Sequence, residues 1–294
     1  MPDDWAAVAA AISRATGAPF QVRSSQAVGG GCINSAVLLA DKDRRFFVKT
    51  NNAARSAMFA AEAEALEELR RARAVRVPEP VCHGVDGDRS FLVLEYLDLE
   101  PLEGAAPERL GRALAALHRV TRSQFGWNRD NTLGSTPQPN TPTDDWVEFW
   151  RVRRLGFQLE LAGRNSYGPR VTAKGERLAH RLDRLLGGHR PAASLLHGDL
   201  WAGNAAATGG EPVIFDPAVY FGDRETDLAM TELFGGFPTV FYDAYREAWP
   251  LDPGYAVRRV LYNLYHVLNH VNLFGGGYLG QAERMLDRLL AEVR

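Results

Sequence analysis

Residues 195–216 read LLHGDLWAGNAAATGGEPVIFD. Three polar residues stand out against their surroundings. Asp199 follows His197-Gly198, Asn204 lies five positions further on, and Asp216 ends the apolar run Pro212-Val213-Ile214-Phe215. That run follows the turn Thr208-Gly209-Gly210-Glu211, so the sequence predicts a hairpin with an acidic residue at its far end. The residue types match a definite chemistry. A carboxylate can accept a proton from a hydroxyl, and amide and carboxylate oxygens are the hard ligands that Mg²⁺ takes. Asp and Asn are common in loops, so the Asp-x-x-x-x-Asn spacing alone is a weak signal. The leading His-Gly, the hairpin and the terminal Asp together make it a specific one.

The same Asp-to-Asn spacing occurs in the protein-kinase catalytic loop. There the Asp takes the proton of the attacking hydroxyl, the Asn coordinates a metal ion, and a second Asp holds the Mg²⁺ that bridges the nucleotide phosphates. At the level of whole motifs, HGDLWAGN and FDPAVYFGDRETDLAM resemble the fructosamine-3-kinase (ketosamine-3-kinase) family. That family belongs to the aminoglycoside-phosphotransferase-like kinases, which share the protein-kinase fold. The broader group has the HGD and the later Asp. The Trp of HGDLW and the run DPAVYFGDRETDLAM are more particular to the ketosamine kinases, and LFGGF at 233–237 and LFGGG at 273–277 fit them too. The resemblance runs from about Phe20 to the C-terminus.

Composition sets outer bounds. A chain of 294 residues is long enough for two domains and a large core. A formal net charge of −2 gives no basic surface for nucleic acid or for a membrane. No apolar run approaches the length of a membrane span. The acidic start MPDDWAAVAAAISRATG lacks the basic region of a signal peptide. Its Trp5, Val8, Ala9 and Ile12 recur at helical spacing, with Asp3 or Asp4 placed near the N-cap. Two cysteines, Cys32 and Cys82, are too few for a disulfide scaffold and form no zinc motif. The cytoplasm is the expected location.

In chain order, Phe20–Arg23 reads as a short strand. The glycine-rich stretch Val28-Gly29-Gly30-Gly31-Cys32-Ile33-Asn34-Ser35 follows, and then a strand over Ala36–Ala40. Consecutive glycines let backbone N–H groups approach an anion with no Cβ in the way. The pattern is neither G-x-G-x-x-G nor followed by a helix, so it is neither a Rossmann nor a Walker loop. Next come a strand ending at Lys49 and a helix from about Arg55 to Arg73, whose buried stripe is Met58, Phe59, Ala61, Leu66 and Leu69. Glu62 and Glu64 are both available to pair with Lys49. Strands over Val81–Val85 and Ser90–Glu95 flank the turn Asp86-Gly87-Asp88 and complete a five-stranded antiparallel sheet with one packed helix. From about Pro107 the pattern is helical, and His118 reads as structural. Residues 123–143 are rich in Gly, Pro, Asn and Thr, and a loop of that length is usually functional. Helices are expected over Asp144–Ala162, Val171–Leu186, from Arg224, and near 239–248, 255–274 and 278–293. No internal repeat is evident.

The resemblance implies an α+β, two-lobed protein-kinase-like fold. An antiparallel-sheet lobe over residues 1–98 would bind nucleotide, and an α-rich lobe over 99–294 would carry catalysis and substrate. It further implies ATP over Gly29, Gly30, Gly31 and Lys49, with the hinge Glu95-Tyr96-Leu97 offering backbone hydrogen bonds to adenine. The family pattern F-x-x-E-A favours Glu62 as the partner of Lys49. Asp199 would be the base, Asn204 and Asp216 would hold Mg²⁺, Asp227 would brace the catalytic loop, and Trp201 would face the sugar rather than fill the core. The segment NTLGSTPQPN would border the substrate. The implied reaction is phosphorylation of the 3-hydroxyl of a ketosamine, on a small molecule or a glycated protein lysine, as a deglycation repair. Two alternatives stay open: a kinase of the same fold acting on an aminoglycoside, choline or another amino alcohol, and an inactive nucleotide-binding regulatory protein. Cys32, next to the glycines, is expected to be exposed and electropositive in setting, hence oxidisable. That implies a monomer or a redox-dependent homodimer through Cys32, with Cys82 as an apolar filler.

Overall fold

The computed structural model describes residues 5–29 and 33–294. Asp3, Asp4, Gly30, Gly31 and Cys32 lie outside the described residues, and with them the two expected acidic residues, two of the three glycines and the thiol expectation; the N-cap of the first helix is Trp5, with no side-chain cap hydrogen bond. The first helix, α1 (Ala6–Thr16), is followed by β1 (Ser24–Val28), β2 (Ser35–Ala40), β3 (Arg45–Asn52), α2 (Ser56–Ala72), β4 (Pro80–Asp86) and β5 (Arg89–Glu95). The five strands form one antiparallel sheet in the order β1-β2-β3-β5-β4.

The first strand is not where the sequence placed it. Phe20–Arg23 is not a strand, and the strand begins at Ser24. Phe20 is instead a core residue, its ring edge-on to Phe46 at 5.0 Å. The true strand, SSQAV, is exposed along its whole length and held by backbone pairing to β2. An edge strand of that kind carries no hydrophobic alternation to read. Nor does β3 end at Lys49. It runs on to Asn52, so Lys49 is flanked by Ala36 on β2 and Leu92 on β5 and is 7% exposed.

Two helices, not one, pack on this sheet. Trp5, Val8 and Ile12 of α1 share a small core with Phe20, Leu39, Phe46, Val48, Phe91 and Val93. On the opposite face Met58, Phe59, Leu66 and Leu69 of α2 meet Leu92 and Leu94, and this layer is continuous with the large core of the helical lobe. All five residues of the expected α2 stripe are buried.

The helical lobe begins with α3 (Ala106–His118) and β6 (Thr121–Arg122). The segment expected as loop holds a small hairpin, β7 (Asn131–Leu133) and β8 (Thr136–Gln138). Asp145 caps the next helix by accepting from Glu148 N at 3.1 Å. That helix runs from α4 (Trp146–Phe149) through a π-helical segment (Trp150–Gly156) into α5 (Phe157–Arg164). The helix expected over 171–186 is broken at His180 and Arg181 into α6 (Pro169–Ala179) and α7 (Leu182–Leu186). The chain continues through β9 (Ala193–Leu196), the hairpin β10 (Ala205–Thr208) and β11 (Glu211–Ile214), and β12 (Tyr220–Gly222). It ends in α8 (Glu225–Thr231), α9 (Thr239–Ala248), α10 (Tyr255–Phe274) and α11 (Leu279–Glu292). No helix among the described residues is long and apolar enough to cross a membrane.

Candidate active site

Strand β9 is buried at every position and delivers His197-Gly198-Asp199 at its end. Gly198 is left-handed, φ +84°, and a Cβ there would lie 2.1 Å from the Ala218 carbonyl oxygen. Only glycine fits both the conformation and the space. The turn is held from below by α8. Asp227 accepts from His197 N at 2.7 Å and from Gly198 N at 2.8 Å. His118 Nε2 lies 3.1 Å from the same carboxylate, and its Nδ1 lies 2.8 Å from the Tyr245 hydroxyl. Burial opposes the charge of Asp227, but these bonds and the nearby histidines outweigh it and hold the carboxyl below its ordinary range. His118 is therefore structural, as the sequence reading expects. The rest of the FGDRETDLAM motif anchors the same helix. Asp223 lies 2.7 Å from His189 Nε2 and accepts from Tyr262 at 2.6 Å, while Glu225 takes Arg258 in a two-pronged pair at 2.6 and 2.7 Å.

Replacing Asp227 with alanine leaves two buried backbone donors without acceptors, at about 1–3 kcal/mol each. Asp227→Ala is expected to lower the denaturant midpoint and to lose activity beyond what its unfolded fraction explains. Equal losses of activity and folded protein would make Asp227 a stability residue only.

Beyond the turn, Asn204 is 6% exposed, and its Nδ2 donates to the Asp199 carbonyl at 2.9 Å. Its Oδ1 accepts no hydrogen bond among the described residues. Asp216 follows β11 in a left-handed conformation, φ +58°, rare for a residue with a side chain. Its Oδ1 meets Lys49 Nζ at 2.5 Å, and the other partner of Lys49 is Glu62 at the same distance. Burial works against the ammonium charge, but the two carboxylates outweigh it and hold Lys49 above its ordinary range. Glu64 is not in this group and pairs instead with Arg129 at 2.6 Å. Asp199 is half-buried. Burial, and then the charges of Asp216 and Asp227, push its carboxyl up to about 7, with the bond from Asn204 opposing them.

The donor set fits a divalent cation. An uncommitted amide oxygen on Asn204 and a carboxylate on Asp216 whose side chain is 47% exposed are both hard oxygen donors. They suit Mg²⁺, which keeps several waters and takes one or two protein carboxylates.

Of the other predicted residues, Gly29 follows β1 with open space beside it. The Glu95 side chain is committed to Arg76 and to Glu79 N, so any ligand contact from it would be through the backbone. Tyr96 stacks under the Arg45 guanidinium at 4.3 Å, and Leu97 follows it out of the sheet. Trp201 is 38% exposed, which excludes a purely core role. Its indole covers Gly203, where a Cβ would lie 2.3 Å from the ring, and Phe234 stands edge-on to it at 6.3 Å. Phe234 continues to His270, Phe274 and Tyr278, an aromatic row open to solvent, with Phe274 54% exposed. Sequence reasoning missed this row. Its signal was the pair of Leu-Phe-Gly-Gly repeats, which supply Phe234 and Phe274 from separate elements. Cys82 is free and partly buried, and burial pushes its thiol up to about 11, as expected of an apolar filler.

The two-lobed fold, with its antiparallel sheet and helical lobe, is the kinase-like fold shared by solved phosphotransferases. The chain belongs to the fructosamine kinase family, whose profile matches residues 4–292. It is 49% identical to a probable ketoamine kinase of Synechocystis sp., with 98% of each chain covered. It is 43% identical to the chloroplastic protein-ribulosamine 3-kinase of Arabidopsis thaliana, over 93% of this chain and 85% of that one. The crystal structure of a putative fructosamine-3-kinase from Haemophilus somnus superposes with a TM-score of 0.89, at 29% identity and 96% coverage of both.

Proposed function

We propose that the protein is an ATP- and Mg²⁺-dependent kinase that phosphorylates the 3-hydroxyl of ketosamines, and that residues 1–98 and 99–294 are its nucleotide and catalytic lobes. The observation that carries this reading is the meeting of Lys49, on the central strand of the sheet, with Glu62 and Asp216, close to Asp199 and Asn204. Glu62 fixes Lys49, which as a point charge positions the α- and β-phosphates. Asn204 and Asp216 would hold the cation, whose charge would offset the negative charge of the phosphates. Asp199 accepts the proton of the attacking hydroxyl. Its half-buried carboxyl, pushed up to about 7, is matched to that task near neutral pH. The hinge amides of 95–97 receive the adenine, and Gly29, with open space beside it, leaves room for the phosphates. The named relatives favour a ketosamine acceptor over an aminoglycoside or choline. Loss of a proton from the amine-bearing carbon makes the 3-phosphate a leaving group: its elimination releases inorganic phosphate and leaves an imine, which water hydrolyses to free the amine. That outcome is a deglycation.

The test is purified protein with labelled ATP and a panel of fructosyl- and ribulosyl-amines beside aminoglycosides, with the product position read by ³¹P NMR. Phosphorylation of aminoglycosides alone would overturn the reading.

Trp201 supplies a flat apolar face to the acceptor. Trp201→Ala is expected to raise the KM for the sugar far more than the KM for ATP, because the lost contact lies on the acceptor. A larger rise in the ATP KM would remove Trp201 from the acceptor site.

A further inference from the structure

Four buried polar side chains form one network with the backbone just after Asp216: Asn131 and Gln138 on the hairpin β7–β8, Asn140 just beyond it, and Arg154 on the π-helical segment. Gln138, fully buried, donates from Nε2 to the Ala218 carbonyl at 3.0 Å and to Asn131 Oδ1 at 2.8 Å. Its Oε1 accepts from the Tyr265 hydroxyl at 2.9 Å. Asn131 Nδ2 donates to the Val219 carbonyl at 2.8 Å. Asn140 donates to Asn131 Oδ1 at 2.9 Å and accepts from Arg154 Nη2 at 2.8 Å. Arg154 is fully buried, lies over the rings of Tyr220 and Phe149 at 4.0 and 4.5 Å, and donates to the Pro139 carbonyl at 2.7 Å. Among the described residues it has no carboxylate partner, and its Nε has no hydrogen-bond partner. A buried cation without a counter-ion is costly, and here it is spent on fixing the end of a hairpin.

Ala218 is the shared point. Its N–H donates to the His197 carbonyl at 2.8 Å, and its carbonyl backs onto Gly198 on one side while accepting from Gln138 on the other. Residues 218 and 219 are thus clamped between the catalytic turn and the hairpin. Asp216, two residues earlier, holds a left-handed conformation, uncommon for a residue with a side chain though better tolerated by aspartate than by most, and its neighbours help to fix it.

We propose that Gln138, supported by Asn131, Asn140 and Arg154, is the positioning residue for Asp216, so that cation affinity depends on this network over and above folding. The inference rests on the reading of Asp216 as a cation ligand. Groups behind a metal ligand commonly govern about 10–100-fold in metal affinity. The experiment titrates Mn²⁺ into the full chain saturated with ADP, by calorimetry and by electron paramagnetic resonance. Gln138→Met, similar in shape but without donors, is expected to weaken Mn²⁺ about 10–100-fold while leaving cation-free ADP binding unchanged. Tyr265→Phe, which keeps the donors but removes their anchor, should give a smaller loss. Leu286→Ala, in the core on α11 and outside the network, should lower the melting temperature without changing Mn²⁺ affinity. Wild-type Mn²⁺ affinity in Gln138→Met overturns the proposal, and so does an equal weakening in Leu286→Ala. If Gln138→Met does not fold, wild-type affinity in Tyr265→Phe overturns it. Unchanged affinity in Asp216→Ala would instead overturn the assignment of Asp216 itself.

Discussion

Asp199→Asn is expected to cut turnover by about 10²–10⁴-fold, the usual cost of losing a general base, while nucleotide still binds. The substitution preserves shape and the bond from Asn204 to the main-chain carbonyl. It also has a consequence for stability that a mere loss of function would not produce. The folded carboxyl of Asp199 titrates near 7, above its ordinary 3.8, because burial and then Asp216 and Asp227 disfavour its charge. The folded state therefore binds more protons at this site than the unfolded chain between those two values, and stability falls as pH rises through that window. Asparagine carries no such penalty. Without nucleotide or cation, Asp199→Asn should melt higher than wild type at pH 8, and the gap should close toward pH 4. Near-native turnover would show that Asp199 is not the base, and a gap that widens toward low pH would show that its carboxyl is not held neutral.

Asp216→Ala carries the second large effect. It removes the only carboxylate in the proposed cation set, so Mg²⁺ should no longer enhance nucleotide binding. The fold should survive, because Lys49 keeps Glu62. Alanine in the left-handed conformation costs about 1–2 kcal/mol, which Asp216→Asn should largely avoid, since asparagine tolerates that region. Calorimetry of ADP binding with and without Mg²⁺ separates the two contributions. Both variants should lose the Mg²⁺ enhancement, and only the alanine variant should lose much stability. Retained enhancement in both would move the cation elsewhere.

The pair formed by Lys49 with Glu62 illustrates how far a sequence reading reaches. Spacing on α2 put Glu62 and Glu64 within reach of the lysine, and only the family pattern chose between them. In the fold Glu62 turns inward to Lys49, while Glu64, two positions on, turns outward to Arg129. Two residues on a helix are separated by about 200°, which puts them on opposite faces. Once the register of α2 against the sheet is known, no choice remains.

The sequence alone determined what local rules and chemistry can carry. Helices with a clear apolar stripe were legible, and α9 and α10 lie where the periodicity placed them. So was the hairpin ending in Asp216, because its turn residues and its acidic end are contiguous. What only the tertiary structure decided depends on groups far apart in the chain. The edge strand β1 is defined by pairing, not by its side chains. Lys49 meets Asp216 across 167 positions. The aromatic row at Trp201 is assembled from a loop, the turn after α8 and the end of α10. The polar residues of NTLGSTPQPN look in sequence like a solvated loop, yet Gln138 and Asn140 are fully buried. Polar side chains can be buried only where partners complete their hydrogen bonds. Here those partners are main-chain carbonyls at 218 and 219 and the guanidinium of Arg154, which no local pattern announces.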